Sequence, residues 1–171
     1  MIALVRFAVG MFLVVLAYAP VQAVADGDNQ LLVSQQYAKI KNKFSDVNDA
    51  AAADLDQLGS VNELVFVDVR KSKEQAVSMI PGALTEDEFE ARWQDYRNKT
   101  VVAYCTIGYR SGRFAQRWSK RGIKVVNLAG GILAWAHAGK PLQTPSGIET
   151  KRIHTYGRDW NFVPQGYTPI W

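Results

Sequence analysis

The stretch Cys105-Thr106-Ile107-Gly108-Tyr109-Arg110-Ser111 places a thiol, a glycine, a guanidinium and a hydroxyl within seven residues, directly after the apolar run "VVAY". Such a set suits nucleophilic attack by sulfur on an anionic substrate. The thiolate is the reactive form of cysteine. A loop closing into a helix N-terminus can turn its N–H groups inward as an anion-binding nest, and the helix dipole adds partial positive charge. Gly108 permits a positive φ and close backbone approach, and Arg110 brings a fixed cation. The plainer alternative is a core cysteine, but a core position does not call for Gly, Arg and Ser crowded immediately downstream.

Cys105 is the only cysteine in the chain, so it cannot form an internal disulfide. It is free, paired with another molecule, or chemically used. A thiol-disulfide oxidoreductase normally carries a second, resolving cysteine, and there is none, although mixed disulfides with another protein stay open. A cysteine-histidine hydrolase needs a base, and the two histidines, His137 and His154, stand in the last expected helix and in the C-terminal stretch, where packing roles suit them better.

The reactive loop needs a strand to deliver it and a helix to receive it. "TVVAY" reads as a buried strand, and "SGRFAQRWSKRG" as a helix with Phe114, Ala115 and Trp118 inward and Gly122 at its end. Upstream, "NDAAAADLDQLG" from Asn48 reads as a helix ended by Gly59, and "ELVFVDV" as a strand buried on both faces. After Ile80-Pro81-Gly82, Thr85 and Glu88 have capping-box spacing, and Phe89, Trp93 and Tyr96 give the following helix an aromatic face. "IKVVNL" is a further strand and "ILAWAHAG" a short helix stopped by Gly139 and Pro141. Strands alternating with helices at this spacing define an α/β fold: a central parallel β-sheet with helices on both faces. In such sheets ligands bind beyond the carboxyl ends of the strands, where Cys105 stands.

At 171 residues, 48% hydrophobic and 21% charged, the chain is long and apolar enough for one ordinary globular domain. Arg6, the apolar run from Phe7 to Ala19 and Ala23-Val24-Ala25 together read as a signal peptide over residues 1–25, cleaved after Ala25. The expected destination is the bacterial periplasm, and an uncleaved segment would instead anchor the chain to a membrane. Residues 26–47, with apolar Leu31, Leu32, Tyr37, Ile40 and Phe44, form an N-terminal arm that is either a short helix or a docking segment. Residues 48–142 are the domain. Residues 143–171, rich in Pro, Gly and aromatic side chains, are a non-helical extension packed back over it. The formal charge of +4 carries no basic block, so nucleic acid is not an expected partner, whereas small anions are.

Three motifs occur in order: "DVRKSKEQAVSMIPGAL", "VVAYCTIGYRSG" and "VVNLAGGILAWAHAGKP". Together they resemble the rhodanese-like sulfurtransferase family, matching its Asp-Val-Arg to Ile-Pro-Gly-Ala segment, its Cys-x-x-Gly-x-Arg-Ser loop and its closing Gly-Gly-x-x-x-Trp segment. The resemblance implies a rhodanese-like fold and a two-step relay. Cys105 takes the outer sulfur of a donor such as thiosulfate as a persulfide, then hands it to cyanide or a thiol, with a protein acceptor as a further option. It implies no metal or organic cofactor. It also implies that Thr106, Ile107, Gly108, Tyr109, Arg110 and Ser111 hold the donor and the persulfide, with Tyr109 at the rim, and that Asp68, Arg70 and Glu74 brace the loop by charge-assisted hydrogen bonds.

Ser78-Met79 stand where the family often has Gly-His, and Lys71-Ser72 where it favours Glu and Pro. These departures bear on substrate preference rather than on the reaction. A cysteine phosphatase or arsenate-reducing loop has one more residue between Cys and Arg, so the shorter cradle here disfavours a tetrahedral phosphate. A rival of another class is a sulfur-carrying or non-catalytic binding domain serving one protein partner.

Overall fold

The computed structural model describes residues 21–171; most of the expected export signal lies outside the described residues. Its central sheet has five parallel strands: β1 (Asn48–Ala50), β2 (Leu64–Asp68), β3 (Leu84–Thr85), β4 (Thr100–Tyr104) and β5 (Val125–Leu128), in the order β1-β5-β4-β2-β3. The helices are α1 (Val21–Lys41), α2 (Ser72–Gln75), α3 (Glu86–Arg92), α4 (Tyr109–Ser119) and α5 (Gly131–His137). Among the described residues no helix is long and apolar enough to cross a membrane.

The period-two pleat of the central strands sorts the core into two layers. Val102, Tyr104, Val126 and Leu128 face one way, into a cluster with Ile132, Leu133 and Trp135 of α5. Val101, Ala103 and Val125 face the other, against Phe89 of α3 and Phe114, Ala115 and Trp118 of α4. Every residue of β4 is buried, as expected for a parallel strand covered on both sides. The α3 entry has the expected reciprocal cap, with Glu88 N donating to Thr85 Oγ1 at 3.2 Å and Thr85 N to Glu88 Oε2 at 2.7 Å. Beyond it, Phe89 meets Trp118 edge to face at 4.9 Å.

The helix expected over residues 48–59 is not there. Asn48, Asp49 and Ala50 instead pair in parallel with Val126, Asn127 and Leu128 as the edge strand β1, and only Leu55–Leu58 makes a single 3-10 turn. The alanine-rich composition favours helix only weakly, and the open edge of β5 offers the backbone a ladder that outweighs it.

Of the two readings of the N-terminal arm, the structure has the helix. Helix α1 runs unbroken through the expected cleavage point to Lys41, and Val33, Tyr37 and Phe44 are buried, at the spacing of one helical face followed by a turn. Val33 joins the α5 layer, whereas Tyr37 and Phe44 join the α4 layer.

The C-terminal stretch forms a small parallel pair, β6 (Arg152–His154) and β7 (Thr168–Ile170). Ile153 and Val163 are buried in the α5 layer, and Trp160, Phe162 and Tyr167 pack partly against it. Tyr156 and Trp171 face outward.

Candidate active site

Connections after β2 lead toward β3 and connections after β4 lead the other way, toward β5, so the two loops diverge above the carboxyl ends of adjacent strands. This is the switch point at which open α/β sheets bind ligands. Cys105, the first residue beyond β4, sits at its floor and is only 2% exposed.

The loop around the sulfur is held by what surrounds it. Cys105 Sγ accepts a hydrogen bond from Gly108 N at 3.2 Å. The loop carbonyls point the other way, because the amides at the start of α5 claim them: Ile132 N donates to Cys105 O at 2.9 Å and Leu133 N to Thr106 O at 3.4 Å. That docking needs Gly131, whose φ is +57° and where a Cβ would collide with Cys105 O and lie 2.7 Å from Thr106 O. Gly108 itself has φ +106°, and a Cβ there would lie 2.6 Å from the Tyr37 ring. Asn127 Nδ2 ties the back of the loop, donating to Gly108 O at 3.0 Å and to Tyr37 Oη at 2.9 Å.

Glu74 reaches the loop from α2. Its buried carboxylate receives both arms of the Arg110 guanidinium at 2.7 Å each, the Thr106 hydroxyl at 3.1 Å and the backbone N–H of Lys71 at 3.0 Å. Burial alone would raise its pKa, but the hydrogen bonds from Arg110 and Lys71, with the charges of Arg110 and Arg70, hold it at about 2. Arg110 is committed to Glu74 rather than offered as a free cation. Burial opposes its charge, yet Glu74 and the nearby Cys105 sulfur raise its pKa above the ordinary guanidinium value.

Asp68 and Arg70 lie one layer behind. Their fully buried ion pair is closed at 2.7 Å, and Arg70 also donates to the Ser78 carbonyl and lies 5.7 Å from the centre of the Tyr104 ring. Tyr104 Oη in turn accepts from Ile80 N at 3.1 Å. These bonds fix the segment between β2 and β3 rather than touching the loop. Thr106, Ile107 and Ser111 are buried, and the Ser111 hydroxyl has no hydrogen-bond partner among the described residues. Tyr109, at 41% exposure, stands at the mouth.

Above Cys105 opens a cleft of about 370 Å³, walled by Ile40, Lys43, Ile107, Tyr109, Tyr156 and Trp160 together with Thr106 and Arg110. Tyr156 lies across the Arg110 guanidinium at 5.6 Å. It is the one non-glycine residue with positive φ, +71°, among the described residues. Its N–H donates to His154 Nδ1 at 3.0 Å. His154 is buried beside Glu74 and the surrounding cations. Burial pushes its pKa down, Glu74 opposes this, and Lys73, Arg70 and Arg110 add to the depression. His137 lies elsewhere, its Nε2 within 2.8 Å of Phe162 O.

Sequence reasoning missed the residues that carry the loop from outside its own segment. Asn127 had a signal, a polar residue inside the apolar run "VVNL". Tyr37, Lys43, Tyr156 and Trp160 had none, since only the folding of both chain ends onto the domain brings them to the sulfur.

A family model described as the Rhodanese-like domain matches residues 51–138, so the chain belongs to the rhodanese-like family. A protein of Allochromatium vinosum named sulfurtransferase is 35% identical over 106 residues, covering 59% of this chain and 99% of its own length. The Bacillus subtilis protein YtwF is 33% identical over 95 residues, covering 54% of this chain and 92% of its own. The thiosulfate sulfurtransferase structure from Pseudomonas aeruginosa superposes with a TM-score of 0.53 at 21% identity, over 80% of this chain and 25% of that one, a likeness of fold. The relatives support a sulfurtransferase-type function in general.

Proposed function

We propose that this protein is a sulfurtransferase in which Cys105 accepts a sulfane sulfur from an anionic donor, thiosulfate being the simplest, and passes it to cyanide or a thiol. The observation that carries the reading is the loop geometry: the Gly108 amide aimed at Cys105 Sγ, in a loop whose carbonyls are drawn away by α5. In the first half-reaction the Cys105 thiolate attacks the outer sulfur of thiosulfate. The new S–S bond forms, the old one breaks, and its electron pair leaves with sulfite. In the second half-reaction the acceptor attacks the bound outer sulfur and the Cys105 thiolate departs. Loop amides and the edge of the Arg110–Glu74 pair suit a diffuse anion in both halves. We further place the mature protein outside the cytoplasm, a reading that rests on the N-terminal sequence alone.

Intact mass after incubation with thiosulfate tests the reaction, followed by cyanide addition and assay of thiocyanate, with Cys105→Ser in parallel. One sulfur gained by the wild type alone and discharged with turnover is the expected result. A folded wild type that gains no sulfur overturns the reading, and a single loading without turnover moves it to a sulfur-carrying domain.

A further inference from the structure

The cleft over Cys105 has more room and a different character than an inorganic donor needs. Its volume, about 370 Å³, falls in the range of organic-ligand sites, roughly 300–1,000 Å³. Its upper wall is apolar and aromatic: Ile40 and Lys43 from the N-terminal stretch, Tyr109 from α4, and Tyr156 and Trp160 from the C-terminal stretch. Four of these five, all but Tyr109, lie outside the span matched by the family model, residues 51–138.

The charge pattern selects an anion at the same time. Lys43 and Arg110 line the cleft and no carboxylate does. Arg110 is already neutralised by Glu74, whereas Lys43 Nζ has no ion-pair partner among the described residues and lies 5.4 Å from the Tyr109 ring centre. The sulfur lies at the floor, so the reacting end of a donor must be slender, while its bulk remains among the rings above.

Tyr156 supplies an independent observation. It is 61% exposed, so burial does not pay for its position, yet its backbone holds a left-handed conformation that is unfavourable for a tyrosine. The His154 hydrogen bond and the stack on Arg110 keep it there. Strain retained beside a reactive group, with the ring set over the cleft, is the pattern of a ligand-facing residue.

We infer that the cleft takes an organic sulfane-sulfur anion with a ring-sized apolar body, recognised by Tyr156, Trp160, Tyr109 and Lys43. This rests on the sulfurtransferase reading and names its substrate class. The step balances without an added oxidant or reductant. For a thiosulfonate R–SO2–S⁻, the Cys105 thiolate attacks the outer sulfur and the Sγ–S bond forms. The bond from that sulfur to the sulfonyl sulfur breaks, and its electron pair leaves with the sulfinate R–SO2⁻.

Benzenethiosulfonate and methanethiosulfonate react by the same step and differ in the body, so the ratio of their kcat/KM values, with cyanide as acceptor and each divided by the donor's uncatalysed rate with a small thiolate, reads the wall. The wild type is expected to favour the benzene compound by about tenfold or more. Tyr156→Ala should bring the ratio close to one, Tyr156→Phe should keep it, and Lys43→Gln should raise KM for both donors. A wild-type ratio near one overturns the substrate class while leaving the sulfurtransferase reading intact. A ratio that survives Tyr156→Ala, in protein whose circular dichroism matches the wild type, overturns the role of Tyr156. Failure of both compounds and of thiosulfate to load Cys105 overturns the underlying reading instead.

Discussion

Glu74 and Arg110 stand 36 positions apart in the chain and meet through two parallel hydrogen bonds of 2.7 Å, with the carboxylate fully buried and the guanidinium side chain 28% exposed. The pair joins the loop after β2 to the loop after β4 and so ties the reactive cysteine loop to the rest of the switch point. Removing one partner leaves a poorly solvated charge behind. Glu74→Gln is therefore expected to lower unfolding stability by about 2 kcal/mol, a figure discounted for the partial exposure of Arg110. It should also slow sulfur loading of Cys105. Urea denaturation and intact-mass kinetics with thiosulfate measure the two effects separately.

The same carboxylate sets an acid limit. Its pKa is about 2 in the folded protein against an ordinary 4.5, so the unfolded chain takes up the proton first as pH falls. The stabilisation is complete above about pH 4.5 and is lost between there and about pH 2, on the order of 3 kcal/mol in all. Urea midpoints between pH 6 and pH 3 should fall more steeply for the wild type than for Glu74→Gln; parallel curves would contradict the assignment.

His154 acts in a higher window with the same sign. Its folded pKa lies below 6.5, so the unfolded imidazole protonates first, and the contribution, full above pH 6.5, declines as pH drops through the depressed value. Protonation of Nδ1 also removes the acceptor of the Tyr156 N–H. Stability should therefore begin to decline between pH 7 and pH 5 in the wild type, before the Glu74 window opens. His154→Gln should remove that first phase, and thermal melts across this range report it.

Gly131 is expected to be the least replaceable glycine near the site. A methyl group there would press on the Cys105 and Thr106 carbonyls, and the backbone holds φ at +57°. Gly131→Ala should reduce sulfur loading by about tenfold or more and cost about 1–3 kcal/mol of stability. By contrast, nothing lies within 4 Å of a Cβ placed at Gly122, so Gly122→Ala carries only its backbone cost and leaves loading unchanged.

Asn127 tests the back of the loop. Its buried amide donates to both Gly108 O and the Tyr37 hydroxyl. Asn127→Leu removes one hydrogen bond from each, while Gly108 O keeps the Gly112 N–H at 3.0 Å and Tyr37 keeps Asp49, so the cost should be about 1 kcal/mol and the loop should loosen. Hydrogen exchange at the Gly108 amide is the direct readout, and unchanged protection would show that α5 holds the loop without it.

Much of this protein was legible in the chain because the determining signals are local. Continuous apolar runs in "LVFVD" and "TVVAY" specify buried parallel strands, Thr85 and Glu88 write a helix start in their own spacing, and the crowding of Gly108, Arg110 and Ser111 behind Cys105 marks the reactive loop. Tertiary structure alone decided the rest. Asn48–Ala50 became a strand because the edge of β5 needed a partner, against a composition that leans weakly to helix. Asp68 and Arg70 turned inward on each other, while Glu74 took the loop, because the path of the chain after β2 carries only α2 up to Arg110. The wall of the cleft comes from residues as far apart as Ile40 and Trp160, which no periodicity relates. Their meeting over the sulfur depends on burying Val33, Tyr37, Ile153 and Val163 against the sheet, a balance of apolar area that is settled only when the whole chain is folded.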